Sequence, residues 1–370
     1  YGNEIERVEG EIEDGGLVTV VDFRGRYMGT GFYNSKSLIT VRLLTHRQEE
    51  ITDELIASRV KAACDYRRFV MNRPGTDSCR LIYGEADRLP GVIADRFGGV
   101  IVLQVLALGM ERFTQTIADA LLACEKPDCL LLQNDDAIRR KEGMECFTRV
   151  LYGTLPEENI IHENGVKLAV DVLGGQKTGY FLDQKDNHLF VRQFCKDARV
   201  LDCFSYIGAF ALNAAAAGAK EVTAVDISEA AVQLIEKNAA LNGADITAVC
   251  ANCFDFLRAQ VKAGEKYDVV VLDPPAFTKA HANMASACRG YKEIALSAMR
   301  LLPAGGVLAT HSCSYHMPEE VFVNTVLSAA QDLHRQVRVI TLRRQDIDHP
   351  VLAGYPESHY LKSLWLQMLD

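Results

Sequence analysis

In the second half of the chain, one cysteine and several short polar residues stand where apolar, strand-like runs end. Cys313 directly follows Gly306–Ser312, and Asp273 closes Val269–Asp273 and opens Asp273-Pro274-Pro275-Ala276-Phe277. A thiolate is a nucleophile, and a nearby carboxylate can hold a base edge or move a proton. Position alone leaves Cys313 equally open as a small buried hydrophobe, the usual state of a free cysteine. Upstream, Asp202-Cys203-Phe204-Ser205-Tyr206-Ile207-Gly208 forms the turn after a first strand. Asp226 ends the next strand, eighteen residues beyond Gly208, and Asn252 follows a third. A carboxylate at the second strand end can accept both hydroxyls of a ribose, and Asn252 can bond an adenine edge. The turn holds one glycine rather than G-x-G-x-x-G, so it lacks the close approach that a pyrophosphate needs. The ligand this pattern expects is an adenosine without a pyrophosphate, which points to S-adenosylmethionine. Taken singly, each carboxylate could as well be a helix cap.

These residues need an alternating β and α framework to bring them together. From about Asp197 the chain reads as Val200–Cys203, helix Ala209–Ala217, Val222–Asp226, helix Glu229–Leu241, then strands Ile246–Cys250, Val269–Asp273 and Gly306–Ser312. Ser228 caps the second helix and Gly243 follows its end. This rhythm implies a parallel sheet with helices on both faces, where ligands bind beyond the carboxyl ends of the strands. Val337–Arg343 and Leu361–Met368 suit an antiparallel hairpin at the sheet edge.

The front of the chain reads differently. Strands Leu17–Asp22, Tyr27–Tyr33 and Leu38–Leu43 suggest a small β-barrel or sandwich, followed by a helix over Asp53–Arg68. A small α+β layer follows, with strands at Arg80–Tyr83, Gly91–Asp95, Val100–Val105, Leu130–Gln133 and Val166–Val172 and a helix near Glu111–Ala123.

The 370 residues carry 40 Lys+Arg against 49 Asp+Glu, a formal net charge of −9. That balance weighs against bulk electrostatic capture of nucleic acid and leaves only local basic clusters. These are Arg24 with Arg26, Arg67-Arg68 with Arg73, and Arg139-Arg140-Lys141. Such short runs are usually solvated surface. The 11 cysteines sit in apolar runs, Cys203, Cys250, Cys253 and Cys313 among them, and read as reduced thiols of a cytoplasmic protein rather than a disulfide framework. No metal is expected. No apolar run reaches about 18 residues, so no membrane span is expected. The first residue is Tyr1, and the front reads as trimmed.

The whole chain resembles the RlmI-type 23S rRNA (cytosine-C5) methyltransferases. The resemblance is carried by Thr178-Gly179-Tyr180-Phe181-Leu182-Asp183-Gln184, Leu201 to Gly208, Val271 to Phe277 and Cys288-Arg289-Gly290-Tyr291-Lys292. Ser312-Cys313-Ser314, His349-Pro350 and Tyr355-Pro356-Glu357 complete it. It implies a class I S-adenosylmethionine methyltransferase: a Rossmann-like α/β domain with a seven-stranded mixed sheet over 176–370. Before it come a PUA-like RNA-binding domain over 1–52 lacking its first strand, a helical linker over 53–78 and an EEHEE-like α+β domain over 79–175. It implies that Gln184, Asp202, Phe204, Ser205, Tyr206, Gly208, Asp226, Ile227, Asn252 and Cys253 surround the cofactor, with Gln184 and Ser205 at its methionine end. It also implies Cys313 as nucleophile and Asp273 as its carboxylate partner.

Methylating cytosine at C5 is awkward because that carbon is a poor nucleophile. A thiolate adding to C6 makes the ring enamine-like, and a base must afterwards remove the C5 proton. RNA contacts are expected at Arg24, Arg26, Arg67, Arg68, Phe277, Tyr291 and Lys292. The target base would be flipped out of its stack to reach Cys313. The partner implied is 23S-type rRNA or a ribosome-assembly intermediate, with no membrane, and a homodimer is left open. Two alternatives stay open: a guanine-nitrogen rRNA methyltransferase with a structural Cys313, and a non-catalytic RNA-binding assembly factor.

Overall fold

The computed structural model describes residues 1–277 and 283–370. At the front, β1 (Leu17–Val21), β2 (Tyr27–Tyr33) and β3 (Val41–Thr45) form an antiparallel sheet in that order. The third strand begins later than its apolar pattern suggests. Asn34 to Thr40 close a turn, with the Asn34 amide bonded to the Thr40 carbonyl at 2.8 Å. Phe32 packs directly onto the backbone of Gly109, where an added Cβ would lie 2.0 Å from the ring.

Next come α1 (Asp53–Val70), β4 (Ser78–Tyr83), β5 (Val92–Phe97), β6 (Val100–Val105), α2 (Leu108–Glu111) and α3 (Thr114–Glu125). They are followed by β7 (Cys129–Asn134), α4 (Ile138–Lys141) and β8 (Phe147–Gly153). The five strands form one sheet ordered β4-β5-β6-β7-β8, in which only β6 and β7 run parallel. Every residue of β6, Val100 to Val105, is buried, so both sheet faces are covered. One face packs Ile101 and Leu103 under α1 and α3 through Ile56, Val60, Ile117 and Leu121. The other packs Val100 and Val102 against Ile161, Leu168, Tyr180 and Leu212. The helix expected as a linker is therefore a layer of this core: Thr52 caps it, and Ile56, Val60, Ala63 and Cys64 are buried.

β9 (Ile160–Glu163) and β10 (Val166–Ala169) form a separate hairpin instead of extending the five-stranded sheet. Their turn is Asn164-Gly165, both at positive φ (53° and 79°), as a two-residue hairpin requires.

The remaining chain builds α5 (Lys185–Val191), β11 (Arg199–Cys203), α6 (Ala209–Ala216), β12 (Glu221–Asp226), α7 (Glu229–Asn242), β13 (Thr247–Cys250) and α8 (Cys253–Ala263). Then follow β14 (Val269–Leu272), α9 (Met284–Leu301), β15 (Val307–Ser312), α10 (Glu319–Asp332), β16 (Val337–Arg343) and β17 (Lys362–Met368). The sheet order is β13-β12-β11-β14-β15-β17-β16. Its first five strands are parallel, and β17 inserts antiparallel between β15 and β16. The chain reverses lateral direction at β11/β14, so the parallel strands open a crevice at their carboxyl ends. Because β17 runs the other way, its first residue, Lys362, pairs with Ser312 at the end of β15. Ser228 caps α7 and Gly243 closes it at φ 60°, as the sequence suggested. Among the described residues no helix is long and apolar enough to cross a membrane.

Candidate active site

The crevice holds a cavity of about 310 Å³, within the ordinary range of small-molecule sites. Its lining includes Phe204, Ser205, Tyr206, Asp226, Ile227, Asn252, Cys253, Asp273, Phe277 and Cys313, together with Gln184 from the segment before the sheet. Residues from the ends of five parallel strands and one preceding turn thus converge on one volume.

The loop after β11 is held in an unusual backbone shape. Phe204 and Tyr206 take positive φ of 63° and 52°, and Gly208 takes 88°. Such values cost a non-glycine residue free energy, so the surroundings must impose them. They do so through the Phe204 amide on Cys253 Sγ (3.2 Å), the Ser205 amide on the Val225 carbonyl (3.1 Å) and the Tyr206 amide on Asp226 Oδ2 (2.9 Å). Asp202 and Gly208, expected to touch the cofactor, lie outside the lining. Asp202 is fully buried beneath the loop, where its Oδ2 accepts from Ser205 Oγ (2.6 Å) and the Ala211 amide (3.1 Å). Gly208 supplies the turn's left-handed conformation and packs toward Ile235.

Asp226 also accepts the Ser228 amide through Oδ1 (2.9 Å), and Ile227 stands 68% exposed at the rim, an apolar residue open to a flat ring. Asn252 caps α8, its Oδ1 accepting the Phe254 amide at 2.9 Å. Its side-chain amide nitrogen remains to address a base edge. Gln184 donates to Asp273 Oδ2 (3.0 Å) and accepts from Asn187 (2.7 Å), so its amide is fixed in orientation.

Burial pushes Asp273 up to about 7, and the charge of Asp183 adds to the rise. The Cys313 thiol is pushed up to about 11, again first by burial and then by Asp273. Asp202 rises to about 7 for want of solvent.

Asp183, Lys177, Tyr360 and Lys362 belong to this end of the sheet but were absent from the expected site. Asp183 sits in the turn Leu182–Gln184 and lines the cavity. Its Oδ2 accepts from Lys177 Nζ (2.9 Å) and the Tyr360 hydroxyl. Burial acts to raise its carboxyl, but Lys177, His349 and Tyr360 outweigh it and hold the group well below the usual carboxylate range. Lys362 donates to the carbonyls of Ser314 (2.6 Å) and Tyr360 (2.7 Å), and burial pushes it down to about 8. The available signals were the Asp183-Gln184 dipeptide and the hairpin reading, which puts the residues preceding β17 beside Cys313.

Two of the expected RNA contacts, Arg67 and Tyr291, are instead buried, and other basic residues hold ion pairs. Arg67 is 1% exposed and bonds the carbonyls of Arg80 (2.8 Å) and Asp348 (2.9 Å) and the Asp87 carboxylate. Tyr291 is likewise buried, its hydroxyl 2.9 Å from Ser312 Oγ. Arg139 is buried on Glu111 (2.6 Å), and Arg73 bridges Asp186 (2.8 Å) and Asp346 (2.9 Å). Lys292 pairs with Asp332 at 2.8 Å, and Arg68 reaches Glu125 at 3.1 Å. Arg26 pairs with Asp22 at 2.6 Å, and Arg24 lies 5.0 Å from the Phe23 ring on the same exposed turn. Phe277 lines the cavity with its ring 4.7 Å from that of Tyr291 and tilted by 48°. One C-x-x-C spacing exists, Cys250 to Cys253, but its thiols part: Cys250 is exposed on the Ile227 carbonyl (3.5 Å) and Cys253 is buried under Phe204. All eleven cysteines are free.

A family model described as S-adenosylmethionine-dependent methyltransferase matches residues 101–345, and a PUA-like domain model matches 1–46. The chain is 42% identical over 368 residues to the ribosomal RNA large subunit methyltransferase I of Klebsiella pneumoniae (strain 342), covering 98% of this chain and 92% of that one. It is 41% identical to the protein of the same name from Enterobacter sp. (strain 638), covering 98% and 93%. Among solved structures, the methyltransferase SMU.776 complexed with SAH superposes with a TM-score of 0.84 at 20% identity, over 96% of this chain and 92% of that one. Trm5b from Pyrococcus abyssi gives 0.56 at 16% identity, over 75% of each chain. The cavity residues suit the cofactor this family uses, with a carboxylate at the second strand end, a polar cap at the third and a single-glycine turn at the first. The chain therefore belongs to the S-adenosylmethionine-dependent methyltransferases, in the family of the ribosomal RNA large subunit methyltransferase I proteins.

Proposed function

We propose that this chain methylates C5 of a cytosine in large-subunit ribosomal RNA, with Cys313 as the covalent nucleophile. The observation that carries the proposal is that Cys313 and Asp273, at the ends of the neighbouring strands β15 and β14, line the same cavity as Asp226 and Asn252. A cytosine-C5 reaction needs this set: a thiol to add at C6, a carboxyl group at the base edge and a nucleoside site beside them. The relatives' names supply the substrate class, and the three-stranded PUA-like unit suits shape-led recognition of folded RNA. Free cysteines throughout suit a reducing cytoplasm.

Asp226 would hold the ribose, and Asn252 with Ile227 the adenine. Ser205, Tyr206 and Gln184 would surround the methionine end. When bound, S-adenosylmethionine supplies an electrophilic methyl group and brings a positive charge into the cavity. That charge favours the ionised form of Cys313, which burial suppresses here. Cys313 adds to C6 and raises electron density at C5. Asp273, fixed by Gln184 and able to hold a proton near neutral pH, donates to the ring nitrogen edge as that density builds.

Unmodified large-subunit rRNA incubated with the purified protein and S-adenosylmethionine, then digested to nucleosides, tests this reading. 5-Methylcytosine is expected from the wild type and none from Cys313→Ala. A methylated guanine that survives Cys313→Ala would replace the reading with guanine-nitrogen chemistry.

A further inference from the structure

The reaction requires a group to take the C5 proton, and five side chains with suitable chemistry line the cavity: Cys313, Asp273, Asp183, Asp226 and His188. Asp226 accepts the Tyr206 and Ser228 amides and is assigned to the ribose. Cys313 is occupied at C6, and Asp273 already accepts Gln184. Asp183 is 1% exposed, and its two oxygens differ sharply. Oδ2 is saturated by Lys177 and Tyr360, whereas Oδ1 is buried without a hydrogen-bond partner among the described residues. A carboxylate oxygen removed from water and left unpaired costs free energy, and on a residue that lines the cavity it is open to a substrate hydrogen.

We propose that Asp183 Oδ1 takes the C5 proton of the methylated cytosine, so that release of the product from Cys313 depends on Asp183. The inference rests on the cytosine-C5 reading above. Once C5 carries both a methyl group and its original hydrogen, the C5–H bond breaks and the proton passes to Oδ1. The C–H electron pair forms the C5–C6 double bond, and the C6–S bond breaks with its pair returning to Cys313. Asp183 then passes the proton to solvent.

The electrostatics fit this division of labour. Lys177, His349 and Tyr360 keep Asp183 ionised, while burial pushes Asp273 toward its neutral form. Two neighbouring carboxyls driven in opposite directions mark one as acceptor and the other as donor. The other candidates are engaged elsewhere. Asp202 lies below the loop on Ser205 and Ala211, and His188 Nδ1 is held by Glu163 (2.7 Å) and Tyr180 (3.2 Å).

The test uses unmodified rRNA and methyl-labelled S-adenosylmethionine, with products separated in denaturant. Wild-type protein should place label in free RNA. Asp183→Asn should stall after methyl transfer and accumulate a labelled, denaturant-resistant protein–RNA complex, with release of methylated RNA slowed about 100-fold or more. The double variant with Cys313→Ala should form no complex. Asp183→Glu keeps the charge opposite Lys177 but displaces the oxygen by about 1 Å. It should accumulate the same complex and serves where Asp183→Asn does not fold. Free methylated RNA from both variants at the wild-type rate overturns the assignment, as does a folded Asp183→Asn protein that binds SAH but forms no complex. Should the wild type make a nucleoside other than 5-methylcytosine, the underlying chemical reading falls first. If it makes 5-methylcytosine through Cys313 and both Asp183 variants release product freely, only the assignment to Asp183 falls.

Discussion

The two mixed sheets of this molecule set their buried carboxyl groups differently. In the β4–β8 sheet, Asp95 uses both oxygens on Arg80 (2.8 and 2.7 Å) and also accepts Thr178. Asp87 likewise divides its oxygens between Arg67 and the Tyr83 amide. At the carboxyl ends of β11–β15 the accounting does not close. Asp202 Oδ1 and Asp183 Oδ1 are buried without partners among the described residues, and Asp202 and Asp273 are pushed up to about 7 by burial. Matched charge fixes a fold, whereas an unmatched carboxylate oxygen on a residue that lines a cavity, as in Asp183, marks a candidate functional position. The first sheet packs against α1 and α3 on one face; the second carries the residues of the proposed chemistry.

The sharpest break of this contrast is Cys313→Ala, which removes the proposed nucleophile from the unmatched side. It should lower methyl transfer on the order of 10⁴-fold or more, measured by label incorporation into rRNA, with little change in the thermal midpoint. On the matched side, Asp95→Ala strands the Arg80 guanidinium in the core. It should cost about 3–5 kcal/mol in denaturant unfolding, and equal stability would show that the pair is not the anchor described.

A subtler distinction concerns pH. Asp202 holds its proton to about 7 when folded against an ordinary value of 3.8. The stability it provides is therefore full below about pH 4 and lost as pH rises toward 7. Asp202→Asn cannot ionise, so its melting temperature should gain on the wild type between pH 5 and pH 8; a constant difference would contradict the burial argument. The smallest effect is on thiol reactivity. Burial first, and then the charge of Asp273, hold the Cys313 thiol up, so Asp273→Asn should speed alkylation of Cys313 by iodoacetamide at pH 8 by a few-fold to about tenfold, read by peptide mass. Slower alkylation would place the two groups out of electrostatic contact.

The crevice was legible because chemistry and strand ends coincide in the sequence. Asp226, Asn252, Asp273 and Cys313 each terminate an apolar run, and a parallel sheet aligns such ends. The hairpin of β16 and β17 was legible for the same reason, although its consequence, Lys362 opposite Ser312, emerges only from the register. Asp183 was harder to recognise. It sits in a one-turn helix before the sheet, and its partner Tyr360 is 177 residues away.

Two of the basic clusters contain a residue buried in the fold, Arg67 and Arg139, for a related physical cause. Arg67 beside Arg68 reads as a charged surface, but one faces Asp87 and the carbonyl of Asp348, 281 residues distant, while the other stays near solvent. Charge in a sequence shows valence and not partners. β8 escaped notice because none of its residues is buried and Thr148 and Arg149 interrupt its apolar positions. The Asn164-Gly165 turn carried a clear hairpin signal, but its strands, β9 and β10, are only four residues each.

The most direct test of the central claim is hydrogen release from C5. Unmodified rRNA carrying tritium at cytosine C5 is methylated by the wild-type protein, and methyl incorporation and tritium release are counted together. Covalent chemistry through Cys313 predicts one tritium released to water for each methyl group gained, with both counts lost together in Cys313→Ala. Methyl incorporation without tritium release would contradict it.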